Sequence, residues 1–137
     1  ELSKLGIEAK GFAADITNKM QLTRAFQQIK NNYGTFDVVE FSPHSGSVST
    51  TPVLETTEES VLPIFDNVVI GAINTARLII PEMIERGEGA LLFTSDLSAM
   101  SPSPMFGNSG IVMSGLRNYI LTRTLASSRS ICWTFIH

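Results

Sequence analysis

Cysteine, basic charge and long uninterrupted apolar runs are all scarce in this sequence of 137 residues. The single cysteine, Cys132, excludes an intrachain disulfide framework and is typical of a reducing, cytoplasmic compartment. The net charge of −3 at pH 7 gives no electrostatic reason to expect nucleic acid or an anionic membrane as a partner. The most apolar stretch, residues 61–80, is interrupted by proline, aspartate, asparagine and arginine, which indicates a buried helix rather than a membrane span.

The sequence does have the composition of a globular protein. Hydrophobic residues make up 43% of the chain and charged residues 17%, which a disordered chain does not show. A length of 137 residues is enough for one hydrophobic core, so we expect a single domain over residues 1–137. The chain begins at Glu1, in the middle of a helical pattern that ends at Gly6. We therefore expect it to be a piece of a longer protein.

Hydrophobic periodicity predicts short strands that alternate with helices. We expect strands at residues 7–16, 36–41, 90–94 and 131–136, and helices at residues 19–33, 58–86 and 108–126. Thr17 or Asn18 is expected to cap the first helix, and Thr56 with Glu59 has the spacing of a capping box for the second. Strands that alternate with helices of a dozen or more residues imply a parallel sheet with right-handed crossovers.

Polar residues follow the predicted strand at residues 90–94. Ser95 and Asp96 open a loop that leads into the helix predicted at residues 108–126. Ligands of open α/β sheets bind where the carboxyl ends of strands meet such loops. We therefore expect a ligand site at this edge of the sheet.

Three segments together resemble the short-chain dehydrogenase/reductase family, a group of NAD(P)-dependent oxidoreductases with a Rossmann fold. Each segment is a weak signal alone, but their order and spacing agree with the family. The three segments are Ala14-Asp15-Ile16-Thr17, the helix from Gly71 to Met83 with its Pro-x-Met ending, and the helix from Gly115 to Ala126. The resemblance extends over residues 2–136 and implies an α/β fold, a partial Rossmann-like parallel sheet with flanking helices.

The resemblance also implies a cofactor, a substrate class and an assembly. The cofactor would be NAD or NADP, and hydride would pass between its nicotinamide and a carbonyl or alcohol group of a small molecule. Asp15, with Ile16 beside it, would contact the adenine, while Phe41 and Ser42 would line the path of the ribose and nicotinamide. The two long helices would form the interface of a homo-oligomer.

The catalytic positions of the family are occupied by other residues here. Family members use a tyrosine, a lysine four residues later, and a serine 13 residues before the tyrosine. In the register of the resemblance, Asp96 stands at the serine position, Ser109 at the tyrosine position and Met113 at the lysine position. No Tyr-x-x-x-Lys occurs anywhere in the sequence. The candidate catalytic residues are therefore Ser95, Asp96 and Ser109, although a serine hydroxyl lacks the acidity of a phenol.

Two further features of the family pattern are changed. Val68 stands at the position of the family's catalytic asparagine, with Asn67 one residue early. One residue on a helix is a rotation of about 100°, so Asn67 would face elsewhere unless the helix is locally kinked. The glycine-rich turn that cradles the cofactor pyrophosphate is lacking, and with it two strands that would lie beside the strand at residues 7–16. That strand would have an open edge.

Other interpretations stay open at this point. The protein could be a non-catalytic dinucleotide-binding or scaffold protein, or a truncated product without activity of its own. Ser109 could serve only in helix capping or packing, Met113 only as a core residue, and Asp15 only as a cap. No metal site is predicted, because the cysteine and the two histidines, His44 and His137, lack metal-ligand spacing. A hydrolytic triad of Asp96, His44 and a serine lacks a nucleophile elbow.

Overall fold

Three parallel strands joined by helices form the protein in a computed structural model, which describes residues 2–44, 49–126 and 132–136. The strands β1 (Val38–Phe41), β2 (Ala90–Thr94) and β3 (Cys132–Ile136) lie in the order β1-β2-β3. The helices are α1 (Lys19–Tyr33), α2 (Glu58–Phe65), α3 (Gly71–Arg86) and α4 (Gly107–Ala126), with a π-helical turn at Asp66–Ile70 and short 3₁₀ turns at Leu2–Leu5, Val53–Glu55 and Leu97–Ala99. The predicted α/β class with a parallel sheet is confirmed.

Helix α1 has the predicted bounds because local signals define both of its ends. The side chain of Asn18 accepts hydrogen bonds from the backbone N–H groups of Met20 and Gln21, at 3.1 and 3.2 Å. Gly34 has a φ of +86°, which a glycine adopts without strain, and its N–H donates to the carbonyl of Lys30.

The predicted strand at residues 7–16 is wrong. Residues 7–15 form neither strand nor helix. A strand needs a neighbour to accept and donate its backbone hydrogen bonds, and β1 has β2 as its neighbour in the described sheet. The end of this segment is nevertheless anchored, because the Ile16 side chain packs against the hydrophobic core.

The predicted long helix at residues 58–86 is present as α2, the π turn and α3 in direct succession. Its capping box differs from the prediction, because it is formed by Thr57 and Ser60 rather than by Thr56 and Glu59. The Thr57 hydroxyl accepts from the Ser60 N–H at 3.4 Å, and the Ser60 hydroxyl accepts from the Thr57 N–H at 3.0 Å. The α-helical pattern gives way to the π turn shortly after Pro63, whereas α3 continues through Pro81 without interruption.

By length and composition, residues 58–86 are also apolar enough to cross a bilayer. Half of their most apolar window is buried within the fold, as in the core helix of a globular domain. This burial agrees with the buried helix that the sequence predicts.

One face of the sheet carries the core. The register pairs Phe41 of β1 with Phe93 of β2, and their rings lie 5.9 Å apart. Exposure alternates along β2, with Leu91 and Phe93 fully buried and Ala90, Leu92 and Thr94 partly exposed. Each crossover moves the chain in the same direction across the sheet, so right-handed connections place the helices over the same face. The buried residues packed there are Ala72, Ala76 and Ile80 of α3 and Val112, Leu116 and Ile120 of α4.

A candidate dinucleotide site at the carboxyl edge of the sheet

A cleft lies at the carboxyl end of β1, between α1 and α3. It has a volume of about 220 Å³ and brings together Ile16, Phe41 and Ser42, three of the four residues predicted to contact a cofactor. Gly71 allows α3 to lie close to the side chains of Phe41 and Ile16. A Cβ at this position would lie 3.1 Å from the Phe41 ring and 3.4 Å from the Ile16 side chain. The other lining residues are Leu22, Phe26, Val39, Glu40, Pro43 and Thr75.

Asp15, the fourth predicted cofactor residue, is next in sequence to the cleft residue Ile16. Its carboxylate accepts hydrogen bonds from the Thr17 hydroxyl at 2.7 Å and from the Thr17 N–H at 2.9 Å. These bonds, the hydroxyl bond foremost, lower the pKa of Asp15. The carboxylate is exposed and fixed in orientation, while Asn18 caps the helix.

Ser95 and Asp96, the two polar residues that follow β2, lie in different environments. The Ser95 side chain is buried, and its hydroxyl lies 3.9 Å from the sulfur of Met113. Asp96 is exposed, and its carboxylate accepts from the N–H of Ser98 at 2.8 Å and from the Ser98 hydroxyl. Asp96 therefore caps the 3₁₀ turn Leu97–Ala99, while Ser95 faces α4.

Ser109 lies on the inward face of α4, one helical turn before Met113. It is 7% exposed, and its hydroxyl is a buried polar atom without a hydrogen-bond partner among the described residues. The structure thus places Ser95 against Met113 of α4, Ser109 on the same helix four residues before Met113, and Asp96 at the surface. Ser109 and Met113 do not resemble a tyrosine paired with a lysine, because an aliphatic hydroxyl is far less acidic than a phenol and a thioether has no positive charge to lower its pKa.

The π turn gives Asn67 an orientation that counting along a regular helix does not predict. The Gly71 N–H donates to the carbonyls of Asp66 and Val68 and bypasses that of Asn67. Val68 is buried in the core, whereas the Asn67 amide reaches the carbonyl of His44, after β1, at 3.3 Å. The local kink on which the position of Asn67 depends is therefore present. Asn67, not Val68, faces the carboxyl edge of the sheet.

Asn108 is a residue whose importance the sequence analysis missed. It is fully buried, and its amide oxygen accepts from the N–H groups of Thr51 and Ser109 at 2.9 and 2.8 Å. Its amide nitrogen lies within hydrogen-bond distance of the Ser49 carbonyl, the Thr51 hydroxyl and the Ser60 carbonyl. This network holds the first turn of α4 against residues 49–51 and α2. Helix periodicity could have predicted its burial, because Asn108 lies four residues before the core residue Val112 and so on the same face of the helix.

A second, larger groove of about 610 Å³ separates the carboxyl halves of α3 and α4. Ile80 and Ile84 form one wall and Gly115, Tyr119 and Thr122 contribute to the other. Partial burial raises the pKa of the Tyr119 phenol, although the charges of Arg123 and Arg77 act in the opposite direction.

The raised pKa of Tyr119 predicts a loss of stability in alkaline solution. The pKa of the Tyr119 phenol is about 10 in the unfolded chain and higher in the folded protein. The neutral phenol therefore stabilises the fold below about pH 10, and this contribution is lost as the pH rises through the folded pKa. Replacing Tyr119 by phenylalanine should therefore flatten the fall of unfolding free energy above about pH 10. Urea unfolding of both proteins across the alkaline range measures this, and identical slopes would contradict it.

Comparison with known proteins places this geometry in a family. A family model described as "short chain dehydrogenase" matches residues 1–109. Human 17-beta-hydroxysteroid dehydrogenase 13 is 27% identical over 92 residues, which are 67% of this chain and 30% of that protein.

Solved structures show the same fold. A 7 alpha-hydroxysteroid dehydrogenase, solved with NADH and 7-oxo glycochenodeoxycholic acid, superposes with a TM-score of 0.86 at 16% identity over 98% of this chain and 52% of that one. L-sorbose reductase from Gluconobacter frateurii, solved with NADPH and L-sorbose, gives a TM-score of 0.76 at 19% identity over 90% of this chain and 46% of that one. The chain spans about half the length of these two solved proteins. It spans 30% of the length of the curated relative.

The parallel sheet, its crossover helices and the polar strand ends define a Rossmann-like α/β protein. The match to the family model covers most of its sequence. The chain belongs to the short-chain dehydrogenase family.

Proposed function

We propose that the protein is a nicotinamide-dinucleotide-dependent oxidoreductase that transfers hydride to or from a carbonyl or alcohol group of a small molecule. The observation that carries this proposal is the cleft at the carboxyl end of β1. Two segments 25 residues apart in the chain, at Ile16 and at Phe41, converge on it. The family membership and the NADH and NADPH in the two solved structures agree with a nicotinamide cofactor.

The lining of the cleft fits the uncharged parts of a dinucleotide. Apolar and aromatic side chains dominate it, and Glu40 is the only ionisable residue among the nine described residues that line it. A carboxylate disfavours a nearby phosphate, so the cleft suits a flat ring and a ribose rather than the pyrophosphate. Phe41 and Ser42 would line this part of the cofactor, and Asp15 would lie beside the adenine.

The bound cofactor would supply or accept the hydride, and the chain's own residues would orient the reacting carbonyl. Asn67 can donate a hydrogen bond at the edge of the sheet, and Ser95 and Ser109 offer hydroxyl groups next to Met113. Since these groups do not titrate near neutral pH, we expect slow turnover without the proton transfer that a tyrosine would supply. General acid catalysis typically contributes 10²- to 10⁴-fold, which is about the size of the expected deficit.

Three further properties are part of the proposal. The substrate is a small molecule, and the choice between NAD and NADP is left open. A second copy of the chain would pack on the groove between α3 and α4, where Ile84 is exposed. The protein would act in the cytoplasm, as its single cysteine suggests.

The proposal is tested by titrating the protein with NADPH and NADH while nicotinamide fluorescence is recorded. We expect saturable binding that Ser42→Leu weakens by at least about tenfold, or about 1.4 kcal/mol, because the larger side chain fills the cleft. Ser101→Leu is the matched control, since Ser101 is exposed and lies outside the cleft lining, and it should leave the affinity unchanged.

Two results would contradict the proposal. If binding does not saturate up to about millimolar cofactor, the cleft is not a dinucleotide site. Binding without oxidation of NADPH by any member of a carbonyl panel would leave a dinucleotide-binding protein without oxidoreductase activity.

A further inference from the structure

The sulfur of Met113 lies next to the carboxyl end of β2. Among the described residues it is the hydrogen-bond partner of the buried Ser95 hydroxyl, at 3.9 Å. A thioether is a weak hydrogen-bond acceptor, so this contact satisfies the hydroxyl poorly. The Ser95 hydroxyl therefore keeps its capacity to donate to a stronger acceptor.

A second buried hydroxyl belongs to Ser109, four residues before Met113 on α4. Residues four apart on a helix are neighbours on one face, and long side chains lean over the preceding turn. The side chain of Met113 is therefore expected over the turn that carries Ser109. The Ser109 hydroxyl has no hydrogen-bond partner in the part of the chain that the structure describes. Two buried hydroxyls thus lack a strong acceptor close to one sulfur atom.

Met113 is partly exposed, although it packs against the hydrophobic core. A small oxidant such as hydrogen peroxide can therefore reach its sulfur. In that reaction an S–O bond forms and the O–O bond breaks, and the sulfur lone pair supplies the two electrons that reduce the peroxide. The second peroxide oxygen leaves with both protons as water. The resulting sulfoxide is polar, and its oxygen is a stronger acceptor than the thioether.

We propose that Met113 is an oxidation site whose sulfoxide accepts hydrogen bonds from the Ser95 and Ser109 hydroxyls. In the reduced protein both hydroxyls remain available to a substrate carbonyl, because the thioether competes weakly for them. In the oxidised protein the sulfoxide oxygen takes both donors, and substrate binding is weakened. The effect on substrate rests on the proposed function, whereas the hydrogen bonds of the sulfoxide do not.

The first test is made in a background protein in which the exposed Met20, Met100 and Met105 are leucine, so that peroxide reaches Met113 first. The remaining methionine, Met83, is protected because it is 1% exposed. Mass spectrometry of peptides confirms the added oxygen, and thermal unfolding compares the reduced and oxidised proteins. Oxidation should leave Tm unchanged or raise it, because the new oxygen satisfies two buried donors.

Removing both donors should reverse this result. With Ser95→Ala and Ser109→Ala together, oxidation should lower Tm by at least about 3 °C, because the polar sulfoxide then lacks partners. Ser101→Ala with Ser114→Ala is the matched control, since both of these serines are exposed, and it should behave as the background does. An equal fall of Tm in all three proteins would overturn the proposal, as would a Met113 that stays unoxidised while Met20 of the wild-type protein is fully converted.

The second test measures carbonyl reduction. Oxidation of the background protein should raise KM for the carbonyl substrate by at least about tenfold, and Met113→Leu should remove this sensitivity to peroxide. An unchanged KM after oxidation would overturn the proposal. If the protein neither binds NADPH nor reduces a carbonyl, the proposed function fails, and the Tm comparison still decides whether the sulfoxide accepts from the two hydroxyls.

Discussion

Replacing Gly107 by alanine is expected to destabilise the fold by about 2 kcal/mol or more, because the added methyl group meets backbone atoms that have no room to move. A Cβ at this position would lie 2.6 Å from the Cα and 2.8 Å from the nitrogen of Val53, and it would also collide with the Thr56 hydroxyl. Two backbone bonds hold the neighbouring segments in place, from Gly107 N–H to the Thr51 carbonyl and from Val53 N–H to the Pro104 carbonyl, both at 2.8 Å.

Gly115 provides a matched control with the opposite expected sign. It lies in the same helix, but a Cβ there would be 3.8 Å from the Val69 side chain, an ordinary van der Waals distance. Alanine at an interior helix position is favoured over glycine by about 1 kcal/mol. Thermal unfolding should therefore show a fall of roughly 8 °C for Gly107→Ala and a rise of roughly 4 °C for Gly115→Ala. Equal shifts in the same direction would contradict the close packing at Gly107.

Replacing Asn108 by alanine is expected to destabilise the fold by about 3 kcal/mol or more. The amide oxygen of Asn108 is the acceptor for the N–H groups of Thr51 and Ser109, and its nitrogen serves the carbonyls of Ser49 and Ser60. Each buried group left without a partner costs about 1–3 kcal/mol, and water has little access because the residue is fully buried.

Asn118 is the control for this substitution. It is exposed on the same helix, so alanine there should change the free energy of unfolding by no more than about 0.5 kcal/mol. Urea unfolding of the two variants, compared at a common m-value, measures the difference. A loss at Asn108 no larger than that at Asn118 would show that the network does not hold α4 to residues 49–51.

The elements that the sequence predicts best are those with local signals. Helix α1 has the predicted bounds because Asn18 and Gly34 act within one turn of its ends. Strand β2 has the predicted bounds because its apolar run is bordered by Gly89 and by the polar residues after Thr94. Both predictions needed no knowledge of distant contacts.

The error at residues 7–16 arises because distant residues decide whether a strand forms. The apolar residues from Ile7 to Ile16 have the composition of a strand, but a strand forms only beside another strand. The capping box is a different case, because both candidate pairs are local. The helix begins at Glu58 as predicted, but its cap is Thr57 with Ser60 rather than Thr56 with Glu59, and spacing alone does not choose between the two pairs.

The candidate site was predicted in part. Ile16, Phe41 and Ser42 do share one cleft, as the resemblance implies, although their role in binding stays a prediction. The sequence could not show that the π turn at Asp66–Ile70 directs Asn67 to the carbonyl of His44, because helix periodicity assumes 3.6 residues per turn. Nor could it show that Asn108, on the core-facing stripe of α4, is satisfied by three separate segments.

An amide chemical-shift titration of the ¹⁵N-labelled protein with NADPH tests the position of the dinucleotide site most directly. We expect shifts concentrated at the cleft, in Ile16, Phe41, Ser42 and Thr75, with smaller shifts at Ser95 and Asn67. Shifts confined to the groove between α3 and α4, or no shifts at saturating cofactor, would contradict the assignment of the dinucleotide site to the carboxyl end of β1.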